Sequence, residues 1–158
     1  MPTNKLVLNG TSVASINGSH SNRANKRGAF QIMETGLTGK VVIVTGASGG
    51  IGSAVARKFA EEGAQVVLHY RRQRAQAEAL ELPREQSLLV GADLTKEAAV
   101  RQLFESAVKR FGRVDTLVAN AGSWETRDVP LQEMSLRQWR ATLDAVLTST
   151  FLCMREFF

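Results

Sequence analysis

Residues 45 to 52 read Thr45-Gly46-Ala47-Ser48-Gly49-Gly50-Ile51-Gly52, and this stretch is where chemistry is most legible. A phosphate or pyrophosphate is held best by backbone N–H groups at the start of a helix, presented with no side chain in the way. Glycines supply both the tight turn and the close approach that this needs. The spacing is G-x-x-x-G-x-G, on Gly46, Gly50 and Gly52, and so departs from the G-x-G-x-x-G dinucleotide fingerprint. A tight strand-to-helix turn without a ligand is the plainer alternative. Context favours the anion site, because the glycines follow an apolar run and open a helical pattern. Downstream, Arg71 and Arg72 follow a second apolar run and offer guanidinium groups to an anion.

The elements that must position these residues alternate along the chain. Val41 to Thr45 is a continuous apolar strand, and Ile51, Ala54, Val55, Phe59 and Ala60 then recur at helical spacing. Gln65 to Tyr70 is a second strand, Arg71 to Leu82 a polar helix, and Ser87 to Gly91 a third strand. Thr95 is expected to cap the next helix, whose stripe is Val100, Leu103, Phe104, Ala107, Val108 and Phe111. Gly112 should close it. Val114 to Ala119 reads as a fourth strand. Ser135 and Gln138 form a capping box that opens a last helix running through Trp139, Leu143, Leu147, Phe151 and Met154. Apolar strands alternating with helices predict an α/β fold, a Rossmann-like doubly wound parallel sheet joined by right-handed crossovers.

Three segments together carry a family resemblance. Thr45 to Gly52 resembles the cofactor loop of short-chain dehydrogenases/reductases. Gly91-Ala92-Asp93-Leu94 is similar to the family's adenine-contacting segment, and Ala119-Asn120-Ala121-Gly122 to its N-A-G motif. The likeness covers residues 35 to 158 and implies strand order 3-2-1-4. It also implies that Gly46, Ser48, Gly50, Ile51 and Gly52 cradle a dinucleotide pyrophosphate, and that Asp93 and Leu94 border its adenine. Asn120 would secure the strands near the cofactor, while Ala121 and Gly122 leave room for a ribose. A bland alternative for Asp93 is a turn residue after a strand.

The identity of the dinucleotide follows from the end of the second strand. NAD-binding members place an acidic residue there; this chain has Tyr70, followed by Arg71 and Arg72. A guanidinium pairs with a 2′-phosphate that a carboxylate would repel, so NADP is expected in preference to NAD. The competing reading makes Arg71, Arg72 and Arg74 a solvated first helical turn, where cations oppose the dipole by roughly 0.3 to 1 kcal/mol.

Family members move a hydride between a carbonyl and an alcohol, with a Tyr as general acid/base, a Lys four residues later, a Ser and often an Asn. The sole tyrosine here is Tyr70, and position 74 is Arg. Val146 occupies the position matching the family's Asn and can neither donate nor accept a hydrogen bond through its side chain. His20 and His69 lack a carboxylate or nucleophile at telling spacing and are read as non-catalytic. No catalytic residue and no metal ligand is assigned. The expectation is therefore an NADP-type oxidoreductase truncated before its catalytic residues and inactive alone. The alternatives are a non-catalytic NADP-binding or subunit-interaction module, or a non-functional fragment. The truncated sheet would leave the fourth strand as an apolar edge, and the last helix could serve a homo-oligomer, so the isolated chain should aggregate.

Charge and composition bound the rest. The chain has 158 residues, is 44% hydrophobic, and carries a formal charge of +5. Lys5, Arg23, Lys26 and Arg27 fall within residues 1–33, whereas the acidic residues begin at Glu34. The excess charge thus belongs to the leader and gives no reason to invoke nucleic acid. Residues 1–33 read as a disordered basic extension, either a start placed too early or a targeting segment, and residues 34–158 as the N-terminal portion of a dinucleotide-binding domain. The lone Cys153 fits a reducing compartment, and no apolar run approaches a membrane span, so a cytoplasmic location without membrane partners is expected.

Overall fold

The computed structural model describes residues 35–123 and 129–158; the expected disorder of residues 1–33 lies outside the described residues. Strands β1 (Val41–Val44), β2 (Gln65–Tyr70), β3 (Ser87–Gly91) and β4 (Thr116–Val118) form one parallel sheet in the order β3-β2-β1-β4. This is the expected Rossmann-like order. Register runs from Val41 opposite Gln65 to Val44 opposite Leu68, and from Val42 opposite Thr116 to Val44 opposite Val118.

Every residue of β1 is fully buried, because a central parallel strand is covered on both faces, which is why its sequence is an unbroken apolar run. Alternation divides the two cores. Val42, Val44, Val66 and Leu68 pack with Ala56 of α1 (Gly50–Glu61) and with Leu80. Val41, Ile43 and Val67 pack with Val100, Leu103, Phe104 and Ala107 of α3 (Glu97–Phe111) and with Leu152 and Cys153 near the C-terminus. Burial of each large side chain contributes roughly 1.5 to 3 kcal/mol. Cys153 is inert within this core, since burial pushes its thiol up to about 11.

Several expected details are corrected. The buried face of α1 is Gly52 and Ala56, with Val55, Phe59 and Ala60 half-buried, while Ile51 and Ala54 are exposed. The helix lies so close to the glycine turn that only small residues fit beneath it. The polar helix shrinks to α2, Arg74–Glu78. Glu81 has φ 51, in the left-handed region, and Pro83 follows, so the helix cannot continue to Leu82. Thr95 does not cap α3: its hydroxyl donates to Asp93 Oδ1 at 2.9 Å, and the N-cap is Lys96 without a side-chain cap. Gly112 closes α3 as expected, at φ 83. The fourth strand is confined to Thr116–Val118; just before it, Asp115 is tied to β1 twice, its side chain accepting from the Val41 N–H at 2.9 Å and its own N–H donating to Val41 O at 2.8 Å.

The last helix is three pieces. A 3-10 turn, Leu131–Glu133, precedes α4 (Leu136–Leu143), which opens with the expected capping box: Ser135 N–H donates to Gln138 Oε1 at 2.9 Å. Asp144–Thr148 is a π turn, and α5 (Ser149–Phe157) completes the run. Hydroxyls compete for the carbonyls here, with Ser149 Oγ donating to Ala145 O at 2.8 Å and Thr150 Oγ1 to Val146 O at 2.6 Å, which favours widening the turn.

Candidate dinucleotide site

The chain reverses direction across the sheet after β3, returning to lie beside β1 as β4. Ligands of open α/β sheets bind at such a reversal, outside the carboxyl ends of the strands. A cleft of about 530 Å³ opens there. Gly46, Ser48, Gly50, Ile51, Gly52, Arg71, Asp93, Leu94, Asn120, Ala121 and Gly122 all line it. The structure therefore brings together every cleft residue expected from the sequence, drawn from segments far apart in the chain.

Thr45 organises the floor. Its hydroxyl accepts from the N–H groups of Asn120 and Ala121, each at 2.9 Å, and donates to Val118 O at 3.1 Å. Asn120 returns the contact, its Nδ2 donating to Thr45 O at 2.9 Å. The end of β1 is thus bolted to the end of β4. Glycine is required at two places. Gly46 has φ 70, and a Cβ on Gly52 would lie 2.3 Å from Gly46 O. Gly50 differs, since a Cβ there would meet nothing within 4 Å and would project into open space.

Helix α1 starts at Gly50 with no side-chain cap hydrogen bond and no acidic residue in its first turn. Its leading N–H groups have no partner inside the helix, and the helix dipole adds partial positive charge there. This end suits an anion. At the opposite wall, Arg71 Nη2 donates to Asp93 Oδ2 at 3.1 Å. Partial burial works against the charge on Asp93, but the Thr95 hydroxyl and N–H and the Arg71 guanidinium outweigh it and hold the carboxyl below its ordinary value.

Sequence reasoning set His69 aside as non-catalytic and gave it no role. It is buried beneath the cleft, with Nδ1 accepting from the Gly46 N–H at 3.1 Å and Nε2 3.0 Å from Ala92 O. The available signal was a polar residue within an otherwise apolar, buried strand. Ala145 and Ser149 also line the cleft, carried there by the π turn. Val146 lies at its edge: a Cβ on Gly122 would be 3.5 Å from Val146 Cγ2. Tyr70 stands apart, its ring stacked on Gly91, where a Cβ would be 2.9 Å from the phenol oxygen. Among the described residues, no cluster of His, Cys, Asp or Glu is arranged to hold a metal ion, and no helix is long and apolar enough to cross a membrane.

A parallel 3-2-1-4 sheet with a glycine turn at its reversal defines the class: an α/β protein of the Rossmann type. Residues 40–158 match the family described as short chain dehydrogenase, and the chain belongs to that family. It is similar to glucose 1-dehydrogenase 2 of Bacillus subtilis, with 39% identity over 73% of this chain and 46% of that protein. It is also similar to L-fucose dehydrogenase of Oryctolagus cuniculus, with 42% identity over 75% and 42% of the two chains. Among solved structures, it resembles the 3-ketoacyl-(acyl-carrier-protein) reductase from Brucella melitensis complexed with NADH. That match has TM-score 0.72 and 34% identity, over 77% of this chain and 50% of that one. The chain spans about half the length of the relatives it matches.

Proposed function

We propose that this chain binds NADP and supplies the cofactor-binding part of an oxidoreductase that moves a hydride between a carbonyl and an alcohol. The observation that carries the reading is the convergence of the glycine turn, the uncapped start of α1 and Arg71 around one cleft. The residues fit the group: Gly50 opens onto space that a phosphate would take. In this reading the N–H groups at the start of α1 hold the pyrophosphate, Asp93 and Leu94 border the adenine, and Asn120, Ala121 and Gly122 bound the nicotinamide ribose. When bound, the nicotinamide ring gives or takes the hydride. The relative complexed with NADH supports a nicotinamide dinucleotide; Arg71 supports NADP over NAD.

Arg71 is free to serve because its pair with Asp93 is half exposed, and such pairs contribute roughly 0 to 1 kcal/mol. A phosphate dianion can draw the guanidinium away. Arg71→Ala is expected to weaken NADPH binding by about 10- to 100-fold, the scale of one charged hydrogen bond, while leaving NADH within about threefold. Titration calorimetry checks this; equal loss for both dinucleotides would remove the case for NADP. The same samples are expected to show no NADPH oxidation with carbonyl substrates. Tyr70, the sole tyrosine, lies on Gly91 rather than in the cleft, and Val146 cannot relay a proton.

A self-association reading has its own observation. Trp139, Leu143, Val146, Leu147, Phe151 and Met154 are all exposed along α4, the π turn and α5, an apolar ridge of the kind that marks an interface. The chain is expected to sediment as a dimer or larger species, with Leu147→Glu shifting it toward monomer. A monomeric parent chain in analytical ultracentrifugation would end this reading.

A further inference from the structure

We propose that His69 is a positioning residue for the cleft, a strut that sets the distance between the glycine turn and the adenine wall through one tautomer of its imidazole. The inference rests on the dinucleotide reading of the site. His69 is 2% exposed and sits one residue before the end of β2, on the same face as Val67. Its two ring nitrogens meet partners that leave no choice. The Gly46 N–H can only donate, so Nδ1, 3.1 Å away, must present a lone pair. The Ala92 carbonyl can only accept, so Nε2, 3.0 Å away, must carry the proton. The backbone of the same residue grips the turn again, since Ala47 N–H donates to His69 O at 2.8 Å.

Gly46 is thereby held from two sides. On one side stands the His69 ring; on the other, a Cβ at Gly46 would be 3.0 Å from Ala121 Cα. Gly46 starts the turn that leads into α1, and Ala92 precedes the Asp93 that pairs with Arg71. One side chain therefore connects the wall that would take the pyrophosphate with the wall that would take the adenosine.

A proton added to Nδ1 would face the Gly46 N–H, donor against donor, in a site closed to water. Burial lowers the pKa of His69 from its ordinary value of 6.5, opposed by the Ala92 carbonyl and the Asp93 carboxylate. Residues 45–49, which face it from the β1–α1 turn, bring no titratable group. Tyr70 and Arg71 follow it in the chain, and Cys153, in the core on the same face of the sheet, remains a thiol throughout this range. The sign follows from the lowered value: the stabilisation given by the neutral ring is complete above about 6.5 and is lost as pH falls through the folded-state value. Dinucleotide affinity should then fall by up to about tenfold per pH unit below that value.

The test uses the full chain with NADP⁺ as probe, at pH 5 to 8, for wild type, His69→Asn and His69→Leu. Asparagine offers an acceptor near the place of Nδ1 and does not titrate, whereas leucine offers none. Wild type is expected to lose affinity relative to His69→Asn as pH falls from 6.5 toward 5. His69→Asn should bind within about threefold of wild type at pH 7.5 and lack the difference that His69 adds, and His69→Leu should be weak throughout. Titration of the ligand's own phosphate is common to all three and cancels in the comparison. Hydrogen exchange of the Gly46 amide in the ligand-free chain is the second readout, with protection expected to fall as His69 protonates while circular dichroism stays native. The same pH dependence in His69→Asn as in wild type, or Gly46 protection indifferent to His69, would overturn the proposal. Failure of every form to bind at any pH would instead overturn the dinucleotide reading, and the exchange of Gly46 then decides on His69 by itself.

Discussion

Gly52→Ala is expected to abolish dinucleotide binding and to lower stability by about 3 kcal/mol, despite the better helix propensity of alanine. The added Cβ would lie 2.3 Å from Gly46 O, 2.7 Å from Asn120 Nδ2 and 2.8 Å from Gly46 C. None of these is the free end of a flexible chain. Gly46 O belongs to the turn, and Asn120 Nδ2 is already bonded to Thr45 O at 2.9 Å. Relief requires α1 to lift off the turn, which displaces the N–H groups proposed to hold the pyrophosphate. Gly50→Ala separates the two effects. Its Cβ meets nothing within 4 Å, so the fold should hold or gain slightly while binding is lost to the methyl group in the phosphate's place. Urea denaturation and calorimetry on both variants check this. A Gly52→Ala protein as stable as the parent would show that α1 is not seated on the turn as described, and a Gly50→Ala protein that binds normally would place the phosphate elsewhere.

The second large effect is expected at Thr45. Valine has nearly the same shape, so Thr45→Val removes the hydroxyl and leaves the Ala121 N–H without its acceptor at 2.9 Å, while the Asn120 N–H keeps only Val118 O at 3.0 Å. An unpaired buried donor costs about 1 to 3 kcal/mol, so the variant should lose about that much. Affinity for the dinucleotide should fall with it, because the Asn120–Gly122 segment would no longer be held against β1. Thr45→Ser keeps the oxygen and should recover most of the loss. Denaturation midpoints of the two variants decide the matter, and a valine variant within 0.5 kcal/mol of the parent, inside the usual scatter for harmless substitutions, would refute it.

Much of the fold was legible because the physics involved is local. An unbroken run such as Val41 to Val44 predicts a strand covered on both faces, and β1 is fully buried. The Ser135–Gln138 box and Gly112 act within one turn of their helices, and both appear as expected. The glycine turn is local too, as are the strands whose carboxyl ends it must join. What failed were readings in which a competing contact or backbone turn overrode the one that residue type suggested. Thr95 is a good cap by type, yet Asp93 holds it. Ile51 fits an apolar stripe, yet α1 rests on Gly52 and Ala56 and turns Ile51 outward. The polar helix after β2 ended early because Leu80 is drawn into the core and Glu81 turns left-handed.

By itself, then, the sequence determined the class of fold and the succession of strands and helices, because apolar periodicity, glycine spacing and capping depend on neighbours within a few residues; the cleft residues beyond the glycine turn were expected from the family resemblance. Only the tertiary structure decided the roles within the cleft. Thr45 meets Asn120 and Ala121 across 75 and 76 residues of chain, Arg71 meets Asp93 across 22, and His69 meets Gly46 across 23. A hydrogen bond between segments that far apart exists only after the strands have paired, and no local pattern of residue types encodes which donor will find which acceptor.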